Sequence, residues 1–208
     1  VTQPQQDRIF SHFPNVAFNL VAIAASTGGL KAISQILSTI PSDFPSAIVI
    51  VQHLSGRHRS YMAEILSRYT ILQVKQAEQG GQVQAGTVYT CVPDKHLLVN
   101  PGGIVCLSDE PKVKFSRPAG DKLFTSVALS YKTRAIAVVL TGKYGDGSLG
   151  VLDIKKYGGI VIAQDEATSE CFSMPSTAID TGKVDMVLPL HMISEQLVNL
   201  VMKPQVVT

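Results

Sequence analysis

Three short stretches carry side chains that could do chemistry together. "VAIAASTGGLKAI" (Val21–Ile33) ends an apolar run in Ser26-Thr27-Gly28-Gly29. "IVIVQHLSG" places Gln52 and His53 after a second apolar run, and "AVVLTGKYGDGSLG" places Asp146 between Gly145 and Gly147 after a third. A serine hydroxyl is a weak nucleophile until an adjacent imidazole takes its proton, and the imidazole needs an acid to fix its tautomer. Ser26, His53 and Asp146 supply the three parts. Each has an ordinary alternative. A serine beside glycines serves as a turn residue or helix N-cap, and a helix start there would also bind anions through its N–H groups. A single histidine at a strand end is commonly a hydrogen-bonded structural residue, and an aspartate between glycines is commonly a turn residue. The chain order Ser, His, Asp differs from that of α/β-hydrolases, and the Gly-x-Ser-x-Gly elbow is absent: Ala24-Ala25-Ser26-Thr27-Gly28 has the wrong first residue. A triad is defined by geometry, so neither point excludes one.

The elements that must position these residues follow from apolar patterning. Unbroken apolar runs predict strands over 20–25, 47–52, 87–92, 135–140 and 159–163, buried on both faces. Helical spacing predicts helices over 29–40, 59–69, 122–132, 148–157 and 194–202. Strands alternating with helices predict an α/β fold: a doubly wound, mainly parallel sheet flanked by helices. The stretch 83–107, with turns at Pro93-Asp94 and Pro101-Gly102-Gly103, predicts a small antiparallel hairpin insertion. In parallel sheets, sites form beyond the C-terminal ends of the strands. Ser26, His53 and Asp146 stand at three such exits, and Gln164, Asp165 and Glu166 stand at another.

Composition narrows the function. A chain of 208 residues, 45% hydrophobic and 16% charged, suits one domain with a substantial core. A net charge of +2 without a basic, aromatic-interleaved run gives no case for nucleic acid. No apolar run reaches the roughly 20 residues of a membrane-spanning helix, and "VTQPQQDRIFSHFPN" is not a signal peptide. Cys91, Cys106 and Cys171 show neither metal-ligand nor redox spacing, and an odd, sparse set suits a reducing compartment, so the expected location is cytoplasmic. Adjacent carboxylates at Asp165 and Glu166 lack clustered His or Cys partners, so no metal is expected. Gly142, Gly145 and Gly147 lack the Gly-Lys-Ser/Thr of a phosphate loop, and no cofactor is expected. His58 reads as exposed or capping, His96 as structural, and Met174-Pro175 as a turn before a helix.

The stretches "IAASTGG", "VIVQHLSG", "PDKHLLV", "VVLTGKYGDGSLG", "IAQDEAT" and "FSMPSTAI", spread from Val21 to Ile179, resemble the catalytic domain of the chemotaxis protein-glutamate methylesterase (CheB) family. The resemblance implies Ser26, His53 and Asp146 as the catalytic triad, with Thr27 in the active-site polar network. It implies hydrolysis of glutamate γ-methyl esters on methyl-accepting chemotaxis receptors with release of methanol, and deamidation of receptor glutamines by the same route. The candidate oxyanion donors are backbone N–H groups around Thr27, Gly28, Gly29 and Lys143. Family members usually carry an N-terminal receiver domain. About twenty residues precede the first predicted strand, fewer than the roughly 50 of a small domain, so residues 1–17 are read as a linker and 18–208 as the catalytic domain. A receiver or another signalling domain is an expected partner in a full-length protein. Compared with the family pattern, Lys143 replaces a methionine, Tyr144 a small residue, and Arg117-Pro118-Ala119-Gly120-Asp121 departs from an Arg-Pro-Ser-x-Asp stretch. Tyr144 and Arg117 are therefore assigned to the substrate cleft. The rival reading is a non-catalytic regulatory or binding domain of a larger signalling protein.

Overall fold

In a computed structural model of the chain, residues 19–53 and 60–202 are described. The linker assigned to residues 1–17 and the role given to His58 lie outside them. The elements in chain order are β1 (Leu20–Ala25), α1 (Gly29–Leu37), β2 (Ala47–Gln52), α2 (Met62–Leu66), β3 (Gln73–Gln76), β4 (Thr87–Thr90), β5 (His96–Asn100), β6 (Ile104–Ser108), α3 (Gly120–Tyr131), β7 (Ala135–Val139), α4 (Ser148–Lys156), β8 (Ile160–Gln164), α5 (Ser173–Asp180), β9 (Met186–Leu188) and α6 (Leu190–Met202), with a 3-10 turn over Lys132–Arg134.

Seven strands form one sheet in the order β3-β4-β2-β1-β7-β8-β9, parallel throughout. The chain runs from β1 to β2, out to the edge strand β3 and back to β4 between β3 and β2, then crosses to the other side of β1 as β7 and proceeds outward to β8 and β9. Right-handed crossovers in opposite directions place helices on opposite faces, which is the doubly wound arrangement expected. α1 packs beside α2 and α6; α3 packs beside α4, which also holds α5. Every side chain of β1 and β2 except Gln52 is fully buried, as strands covered on both faces require.

β5 and β6 pair antiparallel outside the main sheet. They lean on α3, where Ser126 Oγ accepts from the Val99 N–H at 3.0 Å and Ser130 Oγ donates to Val99 O at 2.9 Å. β3 and β9 are additions to the five strands expected. β3 reads Gln-Val-Lys-Gln and both of its ends are exposed, so it has no buried apolar run to announce it. β9 is three residues long. α1 stops at Leu37, three residues before its apolar spacing does, where Ser38 and Thr39 turn their hydroxyls back onto the carbonyls of Gln35 and Ile36. α6 begins at Leu190, four residues earlier than expected. No helix among the described residues is long and apolar enough to cross a membrane.

Candidate active site

The site forms where the winding reverses. β1 lies between β2 and β7, with Ala25 beside Gln52 and Ala24 beside Val139, so the chain leaves all three strands at one level. Ser26 follows β1, His53 follows β2, and Asp146 lies in the loop after β7. Backbone bonds tie the exits together: Ser26 N–H donates to Thr141 O at 3.0 Å and His53 N–H to Ala25 O at 3.1 Å. This crevice is where open α/β sheets place their ligands.

His53 bridges the other two side chains. Its Nδ1 lies 3.2 Å from Ser26 Oγ, and its Nε2 lies 2.7 Å from Asp146 Oδ2. With the carboxylate accepting from Nε2–H, the neutral imidazole keeps its lone pair on Nδ1, facing the serine hydroxyl. His53 is 15% exposed and Asp146 1%, so the imidazole stays open to a substrate while the acid is sealed beneath it.

A buried carboxylate is stable only when its oxygens are satisfied. Asp146 Oδ2 also accepts from the Gly120 N–H, and Oδ1 accepts from the N–H groups of Asp121 and Gly147 at 3.0 and 2.9 Å. Gly120 and Asp121 are the first residues of α3, so the carboxylate occupies that helix's N-terminus, where backbone donors and dipole both favour an anion. Burial alone drives the Asp146 carboxyl upward. The His53 bond and the Gly120 and Asp121 N–H groups outweigh it and hold the carboxyl below its ordinary value. Asp121 behaves oppositely: burial pushes it up and the Asp146 charge adds to this, against the Gly150 and Leu149 N–H groups and Lys114.

The nucleophile loop is built by close backbone approach. Gln52 Nε2 donates to Ser26 O at 2.7 Å. Thr141 Oγ1 donates to Thr27 O at 2.9 Å, and the Thr141 N–H is held by Gln164 Oε1 at 2.9 Å. A Cβ on Gly142 would lie 2.2 Å from Met174 Sδ and 2.8 Å from Ser26 Cβ, so only glycine lets the β7 exit pass the serine. Gly28 occupies the N-cap position of α1 with φ 78°, and no side chain caps the helix. Ser26 is thus not the cap of α1, which leaves its hydroxyl to His53.

The other sequence candidates divide. Gly29 donates its N–H to Ser26 O at 2.9 Å, which removes it as an oxyanion donor. The N–H groups of Thr27, Gly28 and Lys143 bond no acceptor among the described residues. Lys143 and Tyr144 are exposed on the loop leading to Asp146. Arg117 is not brought to the triad. Its guanidinium is bound to Asp94 at 2.9 Å and to the carbonyls of Asp109 and Glu110, so it braces the segment before α3. His96 is fully buried at the start of β5, its Nε2 3.1 Å from Pro111 O, in the structural place expected. Met174 and Pro175 lie inside the first turn of α5, not before it.

Sequence reasoning missed the supports. Gln52, Thr141 and Gln164 were visible at strand exits but carried no role, and the Gly120-Asp121 cradle was noticed only as a departure from the family pattern. The signal available for the cradle was a glycine and an acid starting a helical pattern just after Pro118.

The fold and this crevice define a class: doubly wound α/β domains whose central strand delivers a serine to a histidine–aspartate pair. Comparison with known proteins agrees. Residues 21–197 match the family described as CheB methylesterase, and the chain belongs to that family. A protein-glutamate methylesterase/protein-glutamine glutaminase of Pyrococcus horikoshii is 40% identical over 184 residues, covering 87% of this chain and 50% of that protein. One from Burkholderia lata is 41% identical over 185 residues, covering 89% and 55%. The crystal structure of the Thermotoga maritima CheB methylesterase catalytic domain superposes with a TM-score of 0.86 at 39% identity, covering 89% of this chain and all of that one. The chain spans about half the length of the curated relatives it matches.

Proposed function

We propose that this chain is a protein-glutamate methylesterase domain that hydrolyses glutamate γ-methyl esters on chemotaxis receptors, with glutamine deamidation as a second activity. The observation that carries the reading is His53, poised between Ser26 Oγ and a fully satisfied Asp146 carboxylate. The names of its relatives, protein-glutamate methylesterase/protein-glutamine glutaminase, point to the same chemistry.

In this reading Ser26 Oγ attacks the γ-carbonyl while His53 Nδ1 takes its proton. The negative oxygen of the tetrahedral intermediate faces the N–H groups of Thr27 and Lys143, the candidates nearest the serine in sequence and across the Gly142 approach. Donors of this kind account for about 2.7–4 kcal/mol of barrier. The imidazolium, held by Asp146, gives its proton to the departing methoxide, and methanol leaves. Water then enters, His53 Nδ1 takes its proton, and the acyl-enzyme opens to the glutamate carboxylate and free Ser26. With a glutamine substrate the same sequence releases ammonia. The exposed Lys143 and Tyr144 border the approach to this centre. The catalytic unit is assigned to residues 18–208, to be joined in a full-length protein by a receiver or other signalling domain.

The decisive assay incubates the chain with methyl-labelled receptor membranes and counts released methanol, with Ser26→Ala as the control. Ser26-dependent release is expected. No release above the control would leave the rival non-catalytic domain as the reading.

A further inference from the structure

A second feature stands beside the triad and takes no part in its chemistry. Val113 and Ser116 exchange both backbone hydrogen bonds, at 3.1 and 2.8 Å, and so close a two-residue turn over Lys114 and Phe115. Both central residues have positive φ, 45° and 68°. That conformation belongs to type I′ turns and favours Asn-Gly or Gly-Gly. A bulky aromatic there is strained, and Phe115 is 95% exposed, so it gains nothing from the core in return. Neither propensity nor packing accounts for it, and such local conflicts concentrate at sites used for something else.

The turn is fastened to the catalytic loop. Lys114 Nζ donates to Gly145 O at 2.8 Å and to Ser148 Oγ at 3.0 Å, and lies 3.6 Å from Asp121 Oδ2. Gly145 directly precedes Asp146. On the other side of it stands Tyr144, also at positive φ, 69°, and 75% exposed. Two strained aromatics thus face solvent from two loops that Lys114 ties together beside the triad. The charged groups on these two loops differ in their pairing. Asp109 and Glu110 are already paired with Lys95 and Lys122, whereas Lys112 and Lys143 are exposed with no acidic partner among the described residues.

We propose that Phe115 is a substrate-docking residue, set on a fixed turn to enter an apolar site on an acidic protein segment whose ester reaches Ser26. The proposal rests on the esterase reading above. An exposed aromatic anchor on a face that also carries unpaired lysines recognises an acidic surface with one apolar hollow, and a rigid turn gives it that role at little ordering cost.

The test uses binding and turnover separately. A receptor cytoplasmic fragment is titrated onto Ser26→Ala with and without Phe115→Asn, while the Ser26 chain and its Phe115→Asn form are assayed on free glutamate γ-methyl ester. Asparagine tolerates positive φ, so Phe115→Asn should leave the melting temperature unchanged or raise it by about 2–4 °C. It should weaken fragment binding on the order of ten-fold and leave turnover of the free ester intact, and Phe115→Tyr should restore binding. Equal binding with and without Phe115→Asn, no binding by the Phe115 form, loss of free-ester turnover, or self-association that Phe115→Asn abolishes would each overturn the proposal. Fragment binding without methanol release would instead overturn the esterase reading and leave the docking role standing.

Discussion

His53 presents Nδ1, the ring nitrogen nearer its own backbone, to Ser26 Oγ at 3.2 Å, and keeps Nε2 for Asp146. The base in this arrangement is Nδ1. The acid limb of the pH–rate profile should carry no carboxylate step at the ordinary value, because the His53 bond and the α3 N–H groups overcome burial to hold Asp146 below it. A profile measured on a small ester between pH 4 and 9 checks this. A carboxylate step at the ordinary value in the acid limb would count against it.

Ser26→Ala should abolish ester hydrolysis and leave thermal stability nearly unchanged. The hydroxyl makes one long contact, to His53, and the serine's backbone is what the loop uses, through Thr141 and Gln52. Paired melting curves and ester assays decide. A large fall in melting temperature would mean that the hydroxyl has a structural role.

Asp146→Asn should damage both activity and stability. An amide bonded to Nε2 through its NH₂ forces the imidazole proton onto Nδ1, so the base is lost, and a change of this kind lowers kcat about 10⁴-fold in a triad. The amide also cannot accept all of the N–H groups that the carboxylate accepts, at a cost of about 1.5–3 kcal/mol. The cost depends on pH. A carboxyl held below its unfolded value stabilises the fold above the unfolded pKa of about 3.9 and loses that contribution as pH falls through the lower folded value. Chemical denaturation should therefore show a full difference between parent and variant at pH 7 that closes in strong acid. A difference that widens in acid would contradict the assignment.

Gly142→Ala should reduce both stability and turnover, because the new methyl meets Met174 Sδ and the Ser26 backbone and Cβ at once. Overpacking of this kind costs about 1–3 kcal/mol. Met174 is flexible and can yield, but the Ser26 backbone nitrogen, 3.0 Å away, cannot. Gly142→Ala combined with Met174→Ala should therefore recover part of the stability and little of the activity.

Lys143→Met should lower kcat/KM on receptor substrates at low salt with little change in kcat. The ammonium is exposed, so it acts on capture within a Debye length of about 8 Å at physiological salt. A salt series run on both forms should converge as ionic strength rises. Equal values at every salt concentration would leave Lys143 with only its backbone N–H to contribute.

Much of this site is local in origin and was legible as such. Ala24-Ala25-Ser26-Thr27-Gly28-Gly29 announces a buried strand that must turn sharply, and the runs before His53 and Asp146 announce two more strands ending in polar groups. Burial on both faces removes polar residues from such strands, so their exits stand out. β3 was invisible for the complementary reason: an exposed edge strand is held by backbone pairing to β4, which leaves no mark on side-chain pattern. The bracing role of Arg117 was not legible because an arginine near a cleft and an arginine bracing a loop look alike until Asp94 and the carbonyls of Asp109 and Glu110 are in position.

By itself the sequence determined most of the strands and helices, the α/β class, the residues able to form a triad and the family they resemble, because each depends on neighbours within a few positions. Only the tertiary structure decided that β2 and β7 flank β1, that Nδ1 faces the serine, and that the start of α3 seats the Asp146 carboxylate. These follow from hydrogen bonds and packing between residues about 25 to 115 positions apart. No local pattern encodes them, because which distant strand lies alongside β1 is settled by the burial and pairing of the whole sheet.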